Sequence, residues 1–375
     1  MRVLHVYNSH RRGGGSDNTW AATIRMSRDA GIEVDELSRS SGDIPPSLGG
    51  RIGAALSGIY SRGGAAETRR AIARFRPDLV HTHELYPLWS PSVIRAAAGL
   101  GVPVVHSCYD FRLTCPVAIH FQAGAICHRC TGGREYAAIL SNCRANLPES
   151  IAYAARNAAA RAFGLYARHV SEYIVFSPFQ QAWLQRDVGI PSGRITIQPC
   201  LIDVASQPAD PAEGTYIAYA GRFVPEKGVD LLIAAARRTG LPLRLAGDAP
   251  SHPAIRPGDP VQCVVTRSRE ELAAFYRGAR MLVVPSLWYQ TFCIVGARLG
   301  ALQDLIAHDR TGLLFEGGNI DDMATQIQRL WHDPALARRL GTAARAHVAE
   351  SYNAETHLSR LKAAYARALG TPAIA

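Results

Sequence analysis

Two consecutive doubly wound α/β domains are what this sequence predicts, on three observations. Short apolar strand signals alternate with helical segments along the chain, glycine loops join strand to helix early in each series, and a proline-bearing stretch at 199–213 divides the two series. With 375 residues the chain is too long for one average core, and 47% hydrophobic with 19% charged residues is a globular composition that excludes intrinsic disorder. Charged residues interrupt even the alanine-rich segment 151–170, so no membrane-spanning helix is expected. The apolar run 3–7 is too short for a signal peptide, which makes a cytoplasmic protein the expectation.

The first series opens with a strand at 2–7, a Gly13-Gly14-Gly15 loop, and a helix that Ser16 can cap and that runs to about Ala30. Further strands are expected at 79–83, 102–106, 173–176 and 195–198. After the linker, strands are expected at 216–220, 243–246, 262–265 and 281–285, with a helix at 228–238. Helical patterns at 322–331, 334–351 and 354–369 close the chain. The expected division is 1–200, 201–350, and a last helical segment at 351–375 that crosses back onto the first domain. Ligands of such sheets bind at the carboxyl ends of the strands, which places the site between the domains.

The net charge is +10, of which residues 1–200 carry +8 (22 basic, 14 acidic) and residues 201–375 carry +2 (19 and 17). A basic half suits a nucleic acid, an anionic membrane surface or a phosphorylated substrate. The cations are 39 arginines and two lysines, Lys227 and Lys362, so the placement of Lys227 is informative. Eight cysteines in a chain of this size do not make a secreted disulfide scaffold. Four of them, Cys115, Cys127, Cys130 and Cys143, have the spacing C-x11-C-x2-C-x12-C, which suits a closed structural zinc site, with reduced structural thiols as the other reading.

The chain has no phosphate-binding G-x-x-x-x-G-K-[ST] loop, no G-x-S-x-G elbow, no H-E-x-x-H, and no pair of aspartates two apart to hold a divalent metal on a nucleotide sugar. ATPase, hydrolase and metal-dependent transferase readings weaken accordingly. Gly13 to Gly15 form part of a dinucleotide fingerprint, with Glu33 and Asp35 downstream at the distance of a ribose contact. The strongest local signal is Gly221-Arg222-Phe223-Val224-Pro225-Glu226-Lys227-Gly228, after a strand and opening a helix. Glycine permits close backbone approach, Arg222 offers a planar donor fork, and Lys227 adds a point charge near the helix N-terminus; together they form a pyrophosphate clamp.

With those residues in view, the chain resembles a retaining glycosyltransferase of family 4 with the GT-B fold. The resemblance runs nearly end to end, through the Gly14-Gly15 loop, R-P-D-L-V-H-T-H at 76–83, Y-D-F-R-L-T-C-P at 109–116, the 221–228 clamp, L-A-G-D at 245–248, V-P-S-L-W at 284–288 and T-G-L-L-F at 311–315. It implies a nucleotide-diphosphate sugar donor bound mainly by the second domain and transfer without a metal ion. By position it implies that Arg222 and Lys227 neutralise the donor diphosphate, that Gly14 and Gly15 approach it, and that Phe292 belongs to the donor site. Gln290 stands where the family has the first of two paired glutamates on the donor sugar. Tyr109 stands where a histidine is usual beside the reacting centre, followed by Asp110.

The chain also departs from that pattern. After Val295 the family continues with a helix bearing a second glutamate, then a turn and a strand; here Gly296-Ala297-Arg298-Leu299-Gly300 follows at once, about a dozen residues early. The ribose-binding carboxylate has no counterpart, a helix and a strand are expected to be absent, and weak activity is the expectation. His81 and His83 could line the acceptor side or be hydrogen-bonded structural groups, and Trp288 and Tyr289 could stack on a sugar or base or belong to the core. Arg161 and Arg168 share a face of the alanine-rich segment with Arg156 nearby, which suits peripheral contact with an anionic membrane, with a solvated charged face as the other reading.

Three classes of function follow. The first is metal-independent sugar transfer with retention to a glycan, lipid-linked or small acceptor; the second, a degenerate relative that binds a nucleotide or glycan without turnover. A nucleic-acid binder ranks last, for want of any recognised motif with interleaved aromatics.

Overall fold

The computed structural model describes residues 1–10, 15–202, 204, 208–288 and 296–371. The chain divides into two compact units, the first comprising Met1–His120, His128–Leu201 and Tyr352–Ala375, the second Phe121–Cys127 and Ile202–Ser351.

The first unit is built on β1 (Arg2–Ser9), β2 (Glu33–Ser40), β3 (Leu79–Thr82) and β4 (Val104–Ser107), then, beyond the antiparallel pair β5 (Phe121–Gln122) and β6 (Ala125–Ile126), β7 (Glu172–Val175) and β8 (Ile195–Ile197). Its six strands are all parallel, in the order β2-β1-β3-β4-β7-β8. The order reverses between β1 and β3, the switch point at which a doubly wound sheet opens a crevice beyond its strand ends. Helices α1 (Gly15–Asp29), α2 (Leu48–Ile59), α3 (Arg62–Phe75), α4 (Ser92–Ala98), α5 (Ala137–Leu140), α6 (Leu147–Ala162) and α7 (Pro178–Trp183) fill the connections. Helix α1 starts at Gly15, so Ser16 lies inside the helix it was expected to cap.

The second unit carries β9 (Tyr216–Ala220), β10 (Leu243–Ala246), β11 (Val261–Val264) and β12 (Ala279–Leu282), parallel in the order β11-β10-β9-β12, with α8 (Val229–Thr239) and α9 (Arg269–Arg277) between them. On one face Ile217, Leu245 and Met281 pack with Leu232 and Ile233 of α8; on the other Tyr216, Ala218 and Ala246 pack with Phe275 of α9. The central strand β9 is buried on both faces and reads as a continuous apolar run, whereas Arg244 of β10 and Gln262 of β11 are exposed. Two short strands follow, β13 (Gly296–Ala297) and β14 (Leu314–Phe315), parallel to each other, and Val284 bridges to Gly296. Strand β13 is formed by the Gly296–Ala297 start of the segment that the sequence reading placed beyond the missing residues. Helix α10 (Leu302–Leu305) lies between β13 and β14, and α11 (Ile320–His332) and α12 (Pro334–Ser351) complete the unit.

Helix α13 (Ala354–Leu369) belongs to the first unit, where Leu361, Ala364 and Tyr365 pack on Val3, Leu79, Val105 and Ile174. Among the described residues no helix is long and apolar enough to cross a membrane.

The sequence reading missed β2. It pairs along its whole length with β1 but forms the sheet edge, and its residues Glu-Val-Asp-Glu-Leu-Ser-Arg-Ser are mostly half-exposed, so no apolar signal marks it. Glu33 and Asp35 stand at its start, away from the strand ends where a ribose would bind, and both are occupied: Glu33 pairs with Arg2 at 3.3 Å and Asp35 with Arg74 at 2.7 Å.

Candidate functional site

In the second unit the chain leaves the central strand β9 through Gly221 and enters α8 through Gly228, so residues 221–228 lie at the carboxyl end of a parallel strand and at a helix N-terminus. The loop is pinned from three sides. Gly221 N–H donates to the Ala246 carbonyl (2.9 Å), Phe223 N–H donates to Asp248 Oδ1 (2.9 Å), and Leu287 N–H, beyond β12, donates to the Glu226 carbonyl (2.9 Å). The Tyr219 hydroxyl donates to the Arg222 carbonyl at 2.9 Å. Arg222 is 63% exposed with Glu226 at 3.9 Å, and Lys227 Nζ stands 5.1 Å from the centre of the Trp288 ring. Two cations are thus held at a strand end beside helix N–H groups, an arrangement able to take a polyanion.

Gly228 has φ 66°, and a Cβ there would lie 2.1 Å from the Pro285 carbonyl oxygen. Gly228→Ala is therefore expected to destabilise the protein by about 3 kcal/mol, from a left-handed backbone and a backbone clash together, in urea unfolding. A midpoint equal to that of the parent would show that the loop does not pack this way.

In the first unit the ends of β3 and β4 bring together Glu84, Asp110 and Arg112. The Arg112 guanidinium reaches Glu84 at 2.7 Å and Asp110 at 2.6 Å, and the Arg112 N–H donates to Asp110 Oδ1 at 2.9 Å. Asp110 is thus a carboxylate held by its own neighbour two residues on. Burial raises the Glu84 carboxyl to about 7, against the opposing pull of Arg112. Tyr109 is half-buried, its hydroxyl 2.8 Å from His83 Nδ1, and burial holds the phenol well above its ordinary value.

His81 and His83 are core residues. His83 Nε2 shares a hydrogen bond with His5 Nδ1 (2.9 Å), and His81 bonds to the Tyr365 hydroxyl (2.8 Å) and to Ser107 Oγ (2.9 Å). His5, His81 and His83 come close enough to hold a metal ion, yet both ring nitrogens of His81 and of His83 already have partners; His5 Nε2 has none. Desolvation lowers all three, His5 to about 3, so they are neutral at pH 7.

Of the cysteines, Cys130 and Cys143 pack with Ala137 and Ala138 in one small cluster, Cys115 is buried, and Cys127 follows the β5–β6 pair. Arg161 and Arg168, read as sharing a face, do not lie on one helix. Arg156 is buried with its guanidinium 4.3 Å over Tyr86 and 3.8 Å over Tyr153, Arg161 is bonded to Glu135 (2.6 Å), and α6 ends at Ala162, before Arg168. Gly15 is the first residue of α1. Gly14, Tyr289, Gln290 and Phe292 lie outside the described residues. The sequence reading gave no role to Asp248, Glu226, Glu84 and Arg112; their signal was adjacency, since Asp248 ends L-A-G-D and Glu84 follows the histidine pair.

Two parallel Rossmann-like sheets, the second with a cationic strand-to-helix loop, define the class: a glycosyltransferase of the GT-B fold. The chain belongs to Glycosyltransferase Family 4, whose family model matches residues 13–206, and residues 205–347 match the model for glycosyl transferases group 1. It is 25% identical to the D-inositol 3-phosphate glycosyltransferase of Nocardiopsis dassonvillei over 90% of this chain and 86% of that one. Other curated glycosyltransferases align over 40% and 50% of their own length, so the chain spans about half of those. Among solved structures, sucrose-phosphate synthase from Thermosynechococcus elongatus superposes with a TM-score of 0.70 at 18% identity over 99% of both chains. Anabaena HepE in complex with UDP-glucose gives 0.63 at 15% over 97% of this chain and 99% of that chain.

Proposed function

We propose that the protein transfers a sugar from a nucleotide-diphosphate donor to a hydroxyl of a glycan, lipid-linked or small acceptor, with retention and without a metal ion. The observation that carries this reading is the loop at the end of β9, where Arg222 and Lys227 stand at the N-terminus of α8 on a backbone pinned by Asp248 and Leu287. As the sugar–oxygen bond breaks, negative charge grows on the departing diphosphate, and these cations and helix N–H groups stabilise it. The relatives named D-inositol 3-phosphate glycosyltransferase and the HepE complex with UDP-glucose support a nucleotide-sugar donor. In the first unit, Tyr109 and Asp110 border the reacting centre; in the second, Gln290 contacts the donor sugar and Phe292 lines its site. The work is done on the cytoplasmic side, with peripheral contact to an anionic membrane.

Thermal unfolding in the presence of UDP, GDP and ADP tests the donor site, because a ligand that binds only the folded state raises the midpoint by mass action. One of the three is expected to raise it and so to identify the base; no response to any of them rejects the reading. Turnover is expected to be low, since the second glutamate has no counterpart. Inserting a dozen-residue helix bearing a glutamate between Val295 and Gly296 should raise donor affinity or rate, and robust turnover by the parent chain would refute this point.

The same proposal assigns Cys115, Cys127, Cys130 and Cys143 as four thiolate ligands of a structural zinc. Elemental analysis of the purified protein is expected to find one zinc per chain, and its absence leaves reduced thiols.

A further inference from the structure

Helix α2 turns its apolar side outward. Leu48, Ile52 and Leu56, spaced four apart and therefore on one stripe, are 75%, 50% and 62% exposed, whereas Gly58 is buried, where a Cβ would lie 3.7 Å from the Arg156 side chain of α6. An ordinary surface helix does the reverse. Helix α2 packs against α6, and α6 against α5, and both neighbours continue the pattern. Leu147 and Ile151 are half-exposed at the start of α6, and Leu140 of α5 is 73% exposed. Exposed apolar side chains carried by helices that pack on one another mark an interaction surface.

The charge around this surface is mostly cationic: exposed Asp43 lies ahead of α2, and Glu149, between Leu147 and Ile151, is paired with Arg144 at 3.2 Å. Segment 44–61 contains no Asp or Glu and one cation, Arg51, which is exposed between Leu48 and Ile52. Arg129, also exposed, donates to Ser141 Oγ at the end of α5, and Arg134 lies just before that helix. Among the described residues neither Arg51 nor Arg129 is ion-paired with a carboxylate. A second copy of the chain would bring these cations against themselves across a two-fold axis. An anionic bilayer accepts both features at once, with leucines among the acyl chains and arginines at the headgroups.

We propose that α2, with the exposed ends of α5 and α6, docks the protein on an anionic lipid bilayer, α2 lying in the plane of the interface. This specifies the membrane contact of the proposed function and replaces the buried or paired arginines of α6 by a different surface. The test is sedimentation of the full chain with vesicles of phosphatidylcholine containing about 30 mol% phosphatidylglycerol, and with phosphatidylcholine alone. Binding is expected to the anionic vesicles, and Ile52→Glu with Leu56→Glu should weaken it about tenfold or more, with no change in thermal midpoint because both side chains are exposed. Arg51→Glu with Arg129→Glu is a second variant that leaves the apolar stripe intact and should also weaken it. Failure of the parent chain to bind, binding by both variants equal to the parent, or a self-associated chain that Ile52→Glu with Leu56→Glu makes monomeric would each overturn the proposal. No nucleotide or turnover enters the measurement, so its failure is separate from failure of the transferase reading.

Discussion

Replacing Arg222 and Lys227 together by alanine is expected to lower the affinity for the preferred nucleoside diphosphate about a hundredfold. A charge-assisted hydrogen bond contributes about 1.5–3 kcal/mol. Arg222 is 63% exposed, so water screens it and its share falls at or below the low end of that range. Two contacts then sum to about 3 kcal/mol, which is about a hundredfold in the dissociation constant. Titration calorimetry with the nucleotide that raises the thermal midpoint measures it directly. The unliganded double variant should unfold with the parent, because the loop is held through its own backbone, by the Ala246 carbonyl, the Asp248 carboxylate and the Leu287 N–H, rather than by these side chains. Unchanged affinity would reject the clamp.

Mild acid is expected to unfold the first unit. His5, His81, His83 and His106 are buried, and desolvation depresses all four, His5 and His106 to about 3. A depressed folded-state value means that below the ordinary value of about 6.5 the unfolded chain binds protons the folded chain refuses. Their stabilising contribution is therefore complete above that pH and is lost as the pH falls toward the folded values. Each fully titrating group contributes a slope of about 1.4 kcal/mol per pH unit. Glu84 acts in the opposite sense. Raised to about 7, it keeps a proton in the folded state that the unfolded chain has released, so between about 4.5 and 7 it offsets one of the four histidines. Urea midpoints should fall steeply from pH 7 to pH 5, and Glu84→Gln should steepen the fall. A midpoint constant over that range would sink the neutral-histidine account.

Much of the architecture was legible because it is written locally. The 221–228 segment is strand, loop and helix in one unbroken stretch, and the β/α alternation repeats at the spacing that parallel sheets require. In the second sheet the central strand β9 is buried on both faces and so announces itself as an apolar run. The edge strand β2 carries no such signature, since its order comes from eight backbone pairings with β1 and from ion pairs to Arg2 and Arg74 rather than from its own side chains. The shared face read for Arg161 and Arg168 fails for a related reason. Periodicity does not show where a helix stops, and α6 ends at Ala162, before Arg168, nor that Arg161 meets Glu135.

By itself the sequence determined the fold class, the strand-loop-helix that carries the two cations, and the family pattern along most of the chain, because each depends on composition and short-range spacing. Tertiary structure alone decided which polar groups meet. Parallel pairing sets His5 opposite His81, the chain leaving β3 places His83 two residues further, and the fold lays Tyr365, 284 positions away in the chain, on the His81 ring. The same holds for Arg112 between Glu84 and Asp110, for Asp248 under the Phe223 amide, and for the outward leucines of α2. The physical reason is common to all of them. Burial and hydrogen bonding depend on neighbours that only sheet register and helix packing supply, and an isolated residue type does not specify them.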